Sequence, residues 1–419
     1  MKISLNNLIE KCIWLLAVFL FSSFLIFDTY TWGKYAFFLA SVLIMLLSAV
    51  THEGVIRIRM DAFHGFFIFF AIYTAITALW ALKPSDATEK AVTLAQILLC
   101  ASMLFIHYDR KEDIKSLLNA VMWSGYVVTL YAIAFYGLDN MLRSSQDVRL
   151  ENEFANVNAI AMAAALSCML QWRDLTENRN LWSALLMIPA VILITATQSR
   201  KAFVLLGAGI LGIYIMRMAR QEGMTKKILK LLTYVIVGYV TVYLLLQLPI
   251  FEGSMERMRG LLAFWSDSGE ADHSTILRND MMTLGIDTWK SHPLGGIGIG
   301  NPHILARDYL KYDAYLHNNF VELLCGGGLI GFVLYYAMFI YLFVCIFKYR
   351  KADFEAFVVA LIWLGLILIM NYGMVTYYSK LQWYYLAVHF VNVSQMRRKY
   401  KEMMENEQAE KTPEVPDIT

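Results

Sequence analysis

The chain has 419 residues, of which 58% are hydrophobic and 17% charged, with a formal net charge of +2 and a mean hydropathy of +0.50. Soluble domains carry about 25% charged residues, so much of this chain must face lipid or other apolar helices. The near-zero net charge gives no electrostatic reason for a nucleic-acid partner.

Met1 to Glu10 is polar, Lys11 follows, and an apolar stretch then runs to Phe27. No small-residue cleavage site comes after it, so an uncleaved first span is expected. Twelve candidate spans follow in order at 12–27, 34–50, 63–82, 90–107, 116–136, 156–171, 182–197, 202–218, 228–247, 326–347, 354–373 and 379–395. Each is close to the ~20 residues that cross a bilayer. With a cytoplasmic N-terminus, most of the 36 Lys and Arg residues fall in cytoplasmic connectors, for example Arg110-Lys111 and Arg397-Arg398-Lys399. The positive-inside rule therefore predicts an all-α polytopic membrane protein of about twelve helices, N-in and C-in. Residues 1–247 hold spans one to nine, 248–316 one large extracytoplasmic loop, 317–395 the last three spans, and 396–419 a charged tail expected to be disordered.

The five cysteines lie in apolar stretches without C-x-x-C spacing and read as buried small hydrophobes. Asp267, Glu270, Asp272 and His273 read as a solvated acidic turn, and no metal is expected.

Candidate chemistry starts at Thr197-Gln198-Ser199-Arg200-Lys201, the tight outer turn between two spans. Arg200 and Lys201 sit there against the charge bias, either as snorkelling anchors or as an anion clamp. Arg143 and Arg149 add positive potential on the same side. In the long loop a helix is predicted from an N-cap at Ser274 to a stop at Pro293. Arg278, Met282, Gly285 and Trp289 share one of its faces. A cation on that face needs an anion, which could be Asp280, Glu270 or a ligand. Gly296 and Gly298 match G-x-G, but Asn301 breaks the dinucleotide fingerprint and no βαβ unit is present. The run His292-Pro293-Leu294-Gly295-Gly296-Ile297-Gly298-Ile299-Gly300 reads better as chain that lets backbone approach a ligand or a neighbouring helix. His317 opens the helix of the tenth span in this reading, with Asn318 beside it and Glu322 one turn beyond Asn318. An imidazole there can take a proton from a hydroxyl.

Taken together, Arg278, Trp289, His292-Pro293 with Gly296, Gly298 and Gly300, His317-Asn318, and Gly328 with Gly331 resemble the O-antigen ligase and O-antigen polymerase (Wzy-like) superfamily of bacterial membrane glycosyltransferases. Ser199-Arg200 and Phe154 to Asn158 are also similar to family features; Val157 departs, where many relatives have proline. The resemblance implies a GT-C-like architecture in the bacterial cytoplasmic membrane and a glycan donor on undecaprenyl diphosphate. The acceptor would be a sugar hydroxyl, on lipid A core or on a lipid-linked repeat unit. Arg200 and Arg278 would hold the diphosphate without metal or other cofactor, with Arg149 and Lys201 assisting. His317 would be the general base, and Asn318, Gly296, Gly298 and Trp289 would line the substrate. A flippase or other transporter of lipid-linked glycans is the alternative, but it should place ionisable groups at mid-membrane, whereas these cluster at one surface.

Overall fold

The computed structural model describes residues 5–57, 59–146, 150, 153–219, 223, 248–256, 259 and 273–411. The regular secondary structure of the described residues is helical, without strands. The first five helices are α1 (Leu5–Ile26), α2 (Gly33–Thr51), α3 (Ala62–Ile76), α4 (Pro84–Tyr108) and α5 (Lys115–Tyr136). Next come the short α6 (Leu138–Gln146), then α7 (Val157–Asn178), α8 (Leu181–Thr197) and α9 (Arg200–Ala219). The chain ends with α10 (His273–Ser291), α11 (Pro302–Leu310), α12 (Asn319–Tyr349), α13 (Phe354–Gly373) and α14 (Lys380–Lys411).

Seven of these helices, α1 to α5, α12 and α13, are long and apolar enough to cross a membrane, taking α3 with its 3-10 extension to Leu79. They leave Phe69, Leu99 and Ile340 exposed, the pattern of a lipid-facing surface. The expected span at 228–247 lies outside the described residues. Among the described residues the protein is thus all-helical, and its seven apolar helices are those of a polytopic membrane protein.

The helices pack as one bundle. α7 lies against α5, α8 and α9, while α12 lies against α3, α10, α13 and α14. A buried aromatic layer joins α3 to α14, where the Phe67 and Trp383 rings stack 3.6 Å apart. Two polar ends follow. At one, Asp109 meets Arg59 and Arg398, and Lys399 meets Asp353. At the other, Asp86 at the start of α4 meets His303. α4 separates these ends by its 25 residues, about 37 Å of helix.

α12 is broken at Gly328, whose φ of 60° and ψ of −166° are open essentially to glycine alone. The break frees backbone groups, and the glycine run satisfies them. Leu329 N–H donates to the Pro293 carbonyl (2.8 Å), Ile330 N–H to Leu294 (3.2 Å), and Ile297 N–H to the Cys325 carbonyl (3.0 Å). Irregular backbone at membrane depth survives only when other protein supplies such partners. A Cβ on Gly328 would lie 2.2 Å from the Leu294 carbonyl oxygen. Gly328→Ala is therefore expected to cost about 2 kcal/mol or more. Thermal unfolding in detergent should show the loss, with Gly365→Ala, whose Cβ would meet open space, unchanged.

Three expectations bear on these elements. The tail forms helix to Lys411 rather than disorder from 396. Its first turns dock through Arg398 on Asp109, Lys399 on Asp353 and Tyr400 on Tyr349, and its remainder is rich in strong helix formers. The large loop contains α10 and α11, and α10 begins at His273, one residue before the expected cap. Cys12 is half-buried, while the other four cysteines are buried.

Candidate active site

His317 does not open α12, as its sequence position implied. Asn318 is the N-cap, its side-chain oxygen accepting from Phe320 N–H at 2.9 Å and Val321 N–H at 3.2 Å. His317 therefore precedes the helix, held at a φ of 55°. A left-handed histidine persists only where its neighbours over-determine it, and such positions concentrate at functional sites. Leu316, fully buried, packs on Gly285 of α10. The carboxylate of the buried Glu322 accepts the Leu316 N–H at 2.8 Å. Asn319 anchors the other side, its oxygen accepting from Thr376 N–H (2.8 Å) and Tyr377 N–H (2.9 Å). The imidazole is thus fixed from both directions along the chain.

α10 brings Arg278 to this imidazole. Of the face expected from the sequence, Gly285 is buried and Met282 and Trp289 are half-buried; a Cβ on Gly285 would meet Leu316 and Val321 at 2.6 Å, and Met281, off that set, is also buried. Among the described residues Arg278 is in no salt bridge, and the expected local partner Asp280 is exposed; Glu270 lies outside the described residues. Arg278 acts instead on Tyr315 and His317. Burial, then the positive charges of Arg278 and Lys201, push the His317 pKa down to about 4. The ring is neutral at physiological pH and can accept a proton. Beside it, at 4.5 Å between centroids, lies the Tyr315 ring. Burial raises the Tyr315 pKa, and the side chain of Asn156, the N-cap of α7, acts on it in the opposite direction.

The Ser199-Arg200-Lys201 turn is built by a left-handed Gln198 that ends α8. Gln198 Nε2 donates to the Ser144 carbonyl (2.9 Å), and Ser199 Oγ donates to Asn158 Oδ1 (3.1 Å). Lys201 reaches the Gly373 carbonyl at the end of α13. Arg200 and Lys201 form the first turn of α9, at the same end of the bundle as His317. Arg149 lies outside the described residues.

The remaining expected site residues have protein partners. Cβ atoms on Gly296 and Gly298 would meet Gly326 at 2.5 Å and Ala81 at 2.4 Å, so the close approach these glycines permit is to α12 and the α3–α4 connector. Trp289 Nε1 donates to the Pro293 carbonyl at 3.1 Å, tying the end of α10 to the glycine run. The side chain of Asn318 is occupied in capping.

Residues 182–336 match the family described as O-antigen ligase. That segment resembles an O-antigen ligase domain. The ligase-family match runs from α8 into the broken α12 and contains Arg200, Lys201, Arg278, the glycine run and His317. Arg149 and Asn156 fall before it, and Gly373 and Thr376 after it. No curated protein matches the chain. The match supports a function of the O-antigen ligase or polymerase kind.

Sequence reasoning left Tyr315, Asn156, Asn319 and the anchoring role of Glu322 without assignments. Asn319 was embedded in a motif, but its partners Thr376 and Tyr377 lie far away in the chain.

Proposed function

We propose that this enzyme transfers a glycan from undecaprenyl diphosphate to a sugar hydroxyl of an acceptor at the outer face of the cytoplasmic membrane. The observation that carries the reading is the neutral, left-handed His317 held against two cations, Arg278 and Lys201. The excess of Lys and Arg in the expected cytoplasmic connectors supports setting that end of the bundle outside the cell.

In the proposed step the acceptor O–H gives its proton to the His317 ring as its oxygen attacks the anomeric carbon. The bond from that carbon to the phosphate oxygen breaks, and its electron pair leaves with the lipid diphosphate. Direct displacement inverts the anomeric centre. Arg278 and Arg200, with Lys201 and Arg149, hold the diphosphate and offset the charge that grows on it, without metal. Guanidinium suits this role because it is charged at any physiological pH and grips two oxygens at once.

The test supplies the purified protein with undecaprenyl-diphosphate glycan and each acceptor class in the presence of EDTA. Growth by repeat units indicates a polymerase, and a single addition to lipid A core indicates a ligase. Loss of activity on adding EDTA would overturn the metal-free step. Absence of transfer to either acceptor would overturn the transferase reading.

A further inference from the structure

Next to the candidate active site lies a polar cavity of about 390 Å³, a size that admits a sugar ring. The transfer step above uses none of its charged side chains. The start of α4 supplies Lys83, Asp86, Glu89 and Lys90, and the chain entering His317 supplies His303 and Asp313. His303 is gripped at both ring nitrogens, by Asp313 Oδ1 at 2.8 Å and Asp86 Oδ2 at 3.0 Å. Two acceptors on two ring nitrogens require both nitrogens to donate, so the ring is an imidazolium. Burial opposes that charge, but the two carboxylates outweigh it and raise the His303 pKa. Lys83 also pairs with Asp86 at 2.8 Å, and Lys90 stands 4.2 Å above the Tyr378 ring.

Tyr315 lines this cavity, and its ring is the neighbour of His317. The electrostatic character therefore changes across the Tyr315–His317 pair. On one side the positive charges of Arg278 and Lys201 act on His317. On the other, Asp86, Glu89 and Asp313 offset Lys83, Lys90 and His303, and the buried Glu322 adds a further acid. A diphosphate is drawn to the first side and repelled by the carboxylates of the second. Sugar hydroxyls both donate and accept, so a wall of carboxylates and ammonium groups over a tyrosine face matches them.

We propose that the His303–Asp86–Asp313 cavity is the acceptor subsite and takes an uncharged sugar ring, delivering its hydroxyl past Tyr315 to His317. This inference rests on the transferase reading above, but its test does not depend on turnover.

The test uses full-length protein in membranes bearing Ala314→Cys, a position that lines the cavity. Four native cysteines are buried and Cys12 is half-buried, so maleimide labelling of the parent chain sets the background. The probes are neutral oligosaccharide released by mild acid from the organism's own surface glycolipid, and geranylgeranyl diphosphate. The oligosaccharide should slow labelling at position 314 at least fivefold, and the diphosphate should not. Adding Asp313→Asn should raise the half-protecting oligosaccharide concentration about tenfold. Protection by the diphosphate, or none by the oligosaccharide, would overturn the assignment. Oligosaccharide protection in a protein that transfers to no acceptor would leave the sugar site standing and remove the transferase reading instead.

Discussion

His317→Asn is expected to lower turnover 10²- to 10⁴-fold, the usual contribution of a general base, while the protein remains folded. Asparagine is chosen because it tolerates the left-handed φ of 55° that His317 adopts. An alanine at this position would add backbone strain to the loss of the base. The pH profile gives a second readout. With the His317 pKa at about 4, the acid limb of kcat/KM should fall near pH 4 rather than near the ordinary histidine value of about 6.5. The same shift has a sign for stability. The unfolded ring takes up its proton below about pH 6.5, whereas the folded ring resists until about pH 4. The folded state therefore loses stability as pH falls through that window, and His317→Asn should flatten the acid side of the unfolding curve. A variant retaining near wild-type turnover would exclude His317 as the base.

Arg278→Gln is expected to cost about 10²- to 10³-fold in turnover, the loss seen when one donor to a developing anion is removed. Arg278→Lys should recover only part of this, because an ammonium cannot grip two phosphate oxygens in one plane. The packing consequence is small: Arg278 is half-buried, and the contacts that seat α10 on the start of α12 come from Met281 and Gly285. Arg278 also depresses the His317 pKa, so the residual activity of Arg278→Gln should show its acid limb moved up from about pH 4. A structural role alone would lower the amount of folded enzyme and leave the limb where it was. Full activity in Arg278→Lys would rule out bidentate binding.

The local parts of this site were legible before the fold was known. Helix periodicity put Arg278 and Gly285 on one face, and that face is the one that seats α10 on the base of α12. The glycine run was recognisable as chain meant for close approach. Its target was not, because Gly298 meets Ala81 and Gly296 meets Gly326, contacts that sequence spacing does not encode. His317 lies two residues before the first residue of the helix it was expected to open, because the Asn318 side-chain oxygen caps that helix at the Phe320 and Val321 N–H groups. Asn319 then becomes a clasp on Thr376 and Tyr377, which only the packing of α12 against the α13–α14 connector could disclose.

By itself the sequence determined that the chain is helical and membrane-embedded, and which cations, glycines and histidine cluster near its one long polar segment. Those are properties of composition and of 3.6-residue periodicity, carried by each segment alone. Tertiary structure decided the rest. It lowered the His317 pKa by burial and by the charges of Arg278 and Lys201, which are far apart in the chain, and set it in a left-handed turn held by Glu322 and Asn319. It also broke α12 at Gly328 and filled the break with the glycine run. Charge coupling and backbone satisfaction depend on distance in space, so these features exist only once the helices have packed.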